Sequence, residues 1–149
     1  MSFDVNKMLA TSYDDALSTQ SIPVPEGEYT AMTEKLDFRV IDTKDGQRII
    51  LRLTWLIDDA DGRVKLATSR DNNMVNQDIW LDMTAEGNLD MSPGMNTQLG
   101  RLREMWKQNM KGKAWNFSML LRNPAKILVN HRTNDKGDTF ADVKKVVAL

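Results

Sequence analysis

The sequence contains no cysteine, a single histidine, only four prolines, and no apolar run of the eighteen or so residues that cross a bilayer. Without cysteine there are no disulfides, no thiolate nucleophile and no cysteine-based zinc site. One imidazole, His131, does not make a metal centre, and no HExxH spacing surrounds it, so it reads as a structural or surface histidine. Nucleophilic catalysis would fall to serine or threonine, yet no GxSxG or SxxK motif recruits one. No GxxxxGK[ST] or GxGxxG loop is present to cradle phosphates. The opening stretch MSFDVNKMLATSYDD has acidic residues where a secretory signal is basic, and no apolar segment behind them. These absences point to a cytoplasmic binding protein that uses neither cofactor nor membrane and performs no catalysis.

What is present belongs to a globular chain. Hydrophobic residues make up 41% and charged residues 28% of 149, the size of one domain. The formal net charge is −1, but it is unevenly distributed. Residues 1–46 carry 4 basic and 9 acidic side chains, whereas residues 98–149 carry 11 and 4. Screening acts over about 8–10 Å at cellular salt, so a ligand meets the local patch rather than the total. A basic final third favours an anionic partner, and a solvated basic face is the plainer reading of the same pattern.

Residues 1–26 read as an N-terminal arm, with one short helix around Val5 to Leu17 and an extended stretch fixed by Pro23 and Pro25. The folded domain is expected over residues 27–149. From Glu28 to Ile41 the sequence alternates with period two, which puts Met32, Leu36, Phe38 and Val40 inward and Thr33, Lys35, Asp37 and Arg39 outward. Asp45-Gly46 signals a hairpin. The next strand, Gln47 to Asp58, sends Ile49, Leu51, Leu53, Trp55 and Ile57 inward and Ile50, Arg52, Thr54 and Leu56 outward. A second Asp-Gly, Asp61-Gly62, reverses the chain into a third extended region, Arg63 to Met83, interrupted by the polar residues 69–73. Its end alternates Val75, Gln77, Ile79 and Leu81 against Asn76, Asp78, Trp80 and Asp82.

A helix fits Met95 to Met110, with Met95, Leu99, Leu102 and Trp106 in one stripe, Asn96 or Ser92 as its cap and Gly112 at its end. Two strands follow, Ala125 to Thr133 and Thr139 to Val147, joined by a turn at Asn134 to Gly137. Five antiparallel strands with one helix between the third and fourth make a mainly β, OB-fold-like barrel.

Carboxylates gather at Asp58, Asp59 and Asp61, and again at Asp78, Asp82, Glu86 and Asp90. Such clusters hold Mg²⁺ in phosphoryl chemistry, which leaves a metal-assisted nuclease accessory as a minor alternative. The first cluster coincides with a turn, where aspartate serves the backbone.

Single-stranded nucleic acid is held by a basic groove lined with rings on which bases stack. Trp80 is expected to point outward between Asp78 and Asp82, an exposed position that suits either a stacked base or a covering arm or second subunit. Lys35 and Arg39 on the first strand, Arg52 on the second, and Lys65 and Arg70 on the third region extend a cationic surface around it. The segment KQNMKGKAWNF adds Trp115 between lysines, a mixture that suits a phosphate-and-base clamp and equally a helix C-terminus whose aromatics close the barrel, with Phe117 read as structural and Trp115 open to either role. Lys126 and Arg132 are further phosphate candidates.

The run PEGEYTAMTEKLDFRV, the strand IILRLTWLI and the helix NTQLGRLREMW, with a final pair of strands, resemble a family of small phage-encoded proteins that look like single-stranded DNA-binding OB-folds. The resemblance spans residues 22–149 and rests on Gly27-Glu28-Tyr29 and on Gln98 to Leu102. It implies coating of single-stranded DNA during phage replication or recombination, with a possible homo-oligomer and phage or host replication proteins as further partners. The chain ends VKKVVAL, so the recruiting acidic tail of bacterial relatives is not matched. The competing expectation is a protein–protein module, such as a phage inhibitor of a host or defence enzyme.

Overall fold

The computed structural model describes residues 2–71 and 73–149, so Asn72 of the polar interruption lies outside the described residues. Five strands carry the architecture: β1 Gly27–Thr43, β2 Gly46–Ile57, β3 Met74–Leu81, β4 Pro124–Thr133 and β5 Thr139–Val147. The helices are α1 Val5–Ala10, α2 Arg63–Thr68 and α3 Thr97–Met105, with a 3₁₀ turn at Phe117–Leu120. The protein is mainly β.

The sheet closes on itself in the order β1–β2–β3–β5–β4, because the long β1 pairs with β2 along most of its length and with β4 through residues 27–32. It is a mixed sheet. β3 and β5 run parallel and register at Asn76–Asp142, which corrects the expectation of five antiparallel strands. Local alternation does not encode this junction, since it joins strands separated by the whole α3 and β4 region.

β2 and β3 keep strict alternation, so Leu51, Leu53, Trp55 and Ile57 from one, and Val75, Ile79 and Leu81 from the other, enter the core. Fully burying a side chain of this size contributes about 1.5–3 kcal/mol. Trp55 satisfies its indole N–H by donating to Gln77 Oε1 at 3.0 Å, which explains how a glutamine occupies an inward position.

β1 departs from the simple pattern. Thr33 pairs with Trp55 and Lys35 with Thr54, leaving Glu34 as an extra residue in a β-bulge. The bulge flips the parity of the strand. Tyr29, Ala31 and Thr33 therefore face the core before it, and Leu36 packs against the core after it. Thr33, expected outward, is 0% exposed, and Met32 is only partly buried. The Thr33 hydroxyl donates to Leu120 O at 2.6 Å and accepts from Asn123 N at 3.0 Å, pinning the bulge to the segment before β4.

Between β2 and β3 the chain forms α2 rather than continuing extended. Asp61-Gly62 starts that helix instead of closing a hairpin, with Gly62 at φ 71°. The Asp59 carboxylate accepts from Val64 N and Lys65 N at 2.9 and 3.0 Å, so this acidic cluster caps a helix. Val64 and Thr68, one turn apart, are buried beneath it.

α3 is shorter than the expected Met95 to Met110. It starts after Asn96 and stops at Trp106, where Lys107 takes φ 57°, well before Gly112. Leu99 and Leu102 are buried as expected, and Met95 is exposed. Asn96 occupies the cap position in a left-handed conformation, but its side chain makes no capping bond. It ties the helix start to the end of β3 instead. Oδ1 accepts from Asp82 N at 2.8 Å, and Nδ2 donates to Asp82 O and Asp90 O at 2.8 and 3.0 Å.

The first residues form an arm whose α1 side chains are all exposed. The arm meets the sheet at Gln20, which exchanges two hydrogen bonds with the Thr139 backbone, and at buried Val24. His131 Nε2 lies 2.7 Å from Val24 O, a structural tie between arm and β4. Among the described residues, no helix is long and apolar enough to cross a membrane.

Candidate functional site

The alternation that fills the core sends the opposite side chains of β1, β2 and β3 to one outer wall. Register then sets them in rows: Lys35–Thr54–Asn76–Asp142, Asp37–Arg52–Asp78, and Arg39–Ile50–Trp80. Trp80 points outward and is 48% exposed, as the sequence pattern requires. Beneath it Ile50 is 3% exposed although it stands on the outer face and outside the core cluster, because it lies between Arg39 and Trp80. Arg48 lies over the Trp80 ring at 5.3 Å from its centroid and 4.0 Å from Asp82. Arg48 was missed in the sequence reading, although it shares the outward parity of Arg52.

At the other end of the wall a second ring–guanidinium pair occurs. Arg132 on β4 lies 5.1 Å from the Phe140 ring of β5, and Phe140 is 39% exposed. Phe140 stands level with Met74 on the neighbouring strand. The two exposed rings are therefore separated by roughly 20 Å along the wall, from six residues at about 3.3 Å each. The overlooked signal is one aromatic, Phe140, at an exposed position of β5.

The charges of this wall are largely matched. Arg52 grips Asp78 with two bonds, Nε at 2.8 Å and a terminal nitrogen at 3.0 Å. This hydrogen bonding holds the Asp78 carboxyl below its ordinary range against the opposing effect of burial, with the Arg52, Arg39 and Arg132 charges adding to the shift. The same bonds raise Arg52 above its ordinary value. Arg132 bonds Asp142 at 2.7 Å. Between these two pairs the β3–β5 junction opens into a cavity of about 630 Å³. Arg39 and Lys35 stand exposed beside them.

The remaining candidates lie elsewhere. Lys65 is on α2, paired with Asp71 at 3.2 Å, and Arg70 follows α2 beside the arm, where it lines a cavity with Gln20 and Phe140. Lys126 is on β4 against Glu28 at 3.5 Å. Trp115 is not on the wall. Its indole N–H donates to Gln108 Oε1 at 3.0 Å, and its ring is held between Arg103, 4.2 Å away, and Phe117, 4.9 Å away. Arg103 is itself buried, which lowers its pKa, and donates to Gln108 O. The rings of the segment after α3 therefore pack on Arg103, on each other and against the core, in keeping with the structural one of the two roles expected for it.

The wall thus brings together Lys35, Arg39, Arg52, Trp80 and Arg132, has Arg70 at its Phe140 end across the cavity beside the arm, and leaves Lys65, Trp115 and Lys126 apart from it. No protein-family model matches the chain, and no curated protein matches its sequence.

Proposed function

We propose that the chain is an OB-fold protein that binds single-stranded DNA across the outer wall of β1–β2–β3, in phage replication or recombination. The observation that carries this reading is Trp80, a half-exposed indole near the end of β3 with a guanidinium over it, Arg39 in its own row and Arg52 in the next. A ring so placed offers a base a stacking surface worth about 1–3 kcal/mol. The strand order, with β1 paired to both β2 and β4 and a helix between β3 and β4, supports the OB assignment, and the β2–β3 face is where such folds take oligonucleotides. Phe140 supplies a second platform at the far end. The resemblance of residues 22–149 to phage single-stranded DNA-binding proteins supplies the DNA and the phage setting.

A protein partner is the second reading, and one observation favours it. Phe3, Leu9, Tyr13 and Leu17 of the arm are all strongly exposed, an apolar surface that a folded partner would cover. Titration with oligo-dT, followed by tryptophan emission, decides between them. Trp55 is fully buried, Trp106 packs on it at 5.9 Å with its N–H on Pro124 O, and Trp115 is stacked within the protein, so quenching reports chiefly on Trp80. Quenching and a mobility shift at low salt are expected. A chain that shows neither is not a single-stranded DNA-binding protein.

A further inference from the structure

The β3–β5 junction continues below the wall into a second cavity, of about 740 Å³, between α3 and the end of β5. Gln77 lines both cavities, which makes them neighbours along one seam. Their charges differ sharply. The upper cavity is lined by Arg52, Asp78, Arg132 and Asp142, each cation already matched to a carboxylate. The lower one is lined by Arg101, Lys144 and Lys145, and its lining includes no carboxylate. None of these three cations has an ion-pair partner among the described residues.

The local backbone explains how two adjacent lysines reach one cleft. In a regular strand Lys144 and Lys145 would take opposite faces. Val143 registers with Val129 and Lys145 with Leu128, so Lys144 is an extra residue in a β-bulge on β5. Bulges of this kind re-aim a side chain. Lys144 and Lys145 therefore both line the cleft, and α3 presents Arg101, with Gln98 and Thr97, from the other side. Three unmatched cations in one concave site raise the local concentration of anions.

We infer that the α3–β5 cleft, through Arg101, Lys144 and Lys145, binds the phosphodiester backbone of a single strand that leaves the outer wall along the β3–β5 seam. The inference rests on the nucleic-acid reading above. It separates stacking, on the wall, from phosphate neutralisation, in the cleft.

The test is the salt dependence of oligo-dT binding by the full chain and by a variant carrying R101Q, K144Q and K145Q. Each phosphate contact on a single strand contributes about 0.7 to the slope of log K against log salt. The triple variant is therefore expected to show a slope shallower by about 2. Between 50 and 200 mM salt the unaltered chain then loses about 20-fold more affinity than the variant. Quenching of Trp80 at saturation should persist in both. A second measurement needs no variant: inorganic tripolyphosphate, titrated into the full chain, should shift the backbone amide resonances of residues 98–105 and 143–147. An unchanged slope with intact quenching overturns the cleft and leaves the wall standing. A shallower slope without quenching in either protein overturns the wall and keeps the cleft. Failure of tripolyphosphate to shift those amides, or of oligo-dT to bind at all, overturns the cleft.

Discussion

Replacing Trp80 by alanine removes the ring on which the nucleic-acid reading depends, and the structure says what else it removes. The indole covers Ile50, which is 3% exposed on the outer face, and it lies under Arg48 at 5.3 Å. A cross-strand pair of this kind contributes about 0.2–1 kcal/mol, and an exposed cation–π contact about 0.5–1 kcal/mol. Trp80→Ala should therefore destabilise by about 1–2 kcal/mol. Domains of this size are stable by about 5–15 kcal/mol, so the variant remains folded at 25 °C. The loss in binding is larger. One stacked base is worth about 1–3 kcal/mol, which corresponds to a 5- to 150-fold weaker complex. Trp80→Phe keeps cover over Ile50 and a smaller ring, and should fall between the two proteins in affinity while unfolding close to the unaltered chain. The assay is anisotropy of a labelled oligo-dT beside urea unfolding of each variant. If Trp80→Ala stays folded and binds oligo-dT within twofold of the unaltered chain, bases do not stack on this ring.

Further outcomes follow from the contacts that shape the wall. Thr33→Val keeps the shape but strands the Leu120 carbonyl and the Asn123 N–H, and should cost about 1–3 kcal/mol in chemical denaturation, with Thr33→Ser costing less. Asn96→Ala loses the bonds to Asp82 and Asp90 and forces alanine to φ 53°, a conformation costing about 1–2 kcal/mol by itself. Asn96→Gly should therefore be the less destabilised of the two in urea melts. In Arg52→Gln the Asp78 carboxyl should titrate back up toward the ordinary carboxylate range, because the hydrogen bonds that depress it are gone. Its folded pKa is depressed in the unaltered chain, so the pair's stabilisation is complete above that range and disappears as pH falls through the depressed value. The two proteins should differ by about 1 kcal/mol or less at neutral pH, because the pair is a third exposed, and should converge in acid. Carboxyl NMR titration and pH-dependent unfolding read both effects.

Much of this wall was legible in the sequence because β2 and β3 alternate without interruption. Leu51, Leu53 and Trp55 inward, against Arg52 and Thr54 outward, follow from period two alone, as does the outward Trp80. β1 was legible only in part, since Leu36 packs against the core whereas Phe38 and Val40, also expected inward, are 43% and 60% exposed. Glu34 adds one residue, which puts the residues before and after it on opposite parity, so an alternation set by Leu36 and its successors assigns Thr33 and Met32 to the wrong faces. α2 has six residues, and Val64 with Thr68 gives a single i, i+4 pair, too little for a helical period to emerge. The Arg52–Asp78 and Arg132–Asp142 pairs depend on cross-strand register, to which alternation within one strand is blind. The two roles open to the Trp115 segment could not be told apart for a related reason. Basic and aromatic residues look alike in sequence whether they await a ligand or, like Arg103, Gln108 and Trp115, already satisfy one another.

Those pairings also bear on where binding energy arises. For Arg52 to bind a phosphate it must release Asp78, to which it holds two bonds at 2.8 and 3.0 Å, and the freed carboxylate then faces the incoming strand. Arg132 faces the same exchange with Asp142. Trading a carboxylate for a phosphate at the same guanidinium releases few counterions and gains little, since both partners are oxyanions of similar geometry. A wall of matched charges is thus a poor phosphate binder and a good spacer. It keeps the rings apart and, on the proposed reading, leaves Trp80 and Phe140 to supply sequence-tolerant stacking. On that reading, salt-sensitive affinity comes from cations with no carboxylate to release: Lys35 and Arg39 on the wall, and the cluster of Arg101, Lys144 and Lys145 along the same seam. Restoring a carboxylate there, with Lys145→Glu, should weaken oligo-dT binding and flatten its salt dependence more than the same charge change at Lys126, which Glu28 already neutralises. Equal effects at the two positions would mean that the strand responds to net charge alone and follows no path through the cleft.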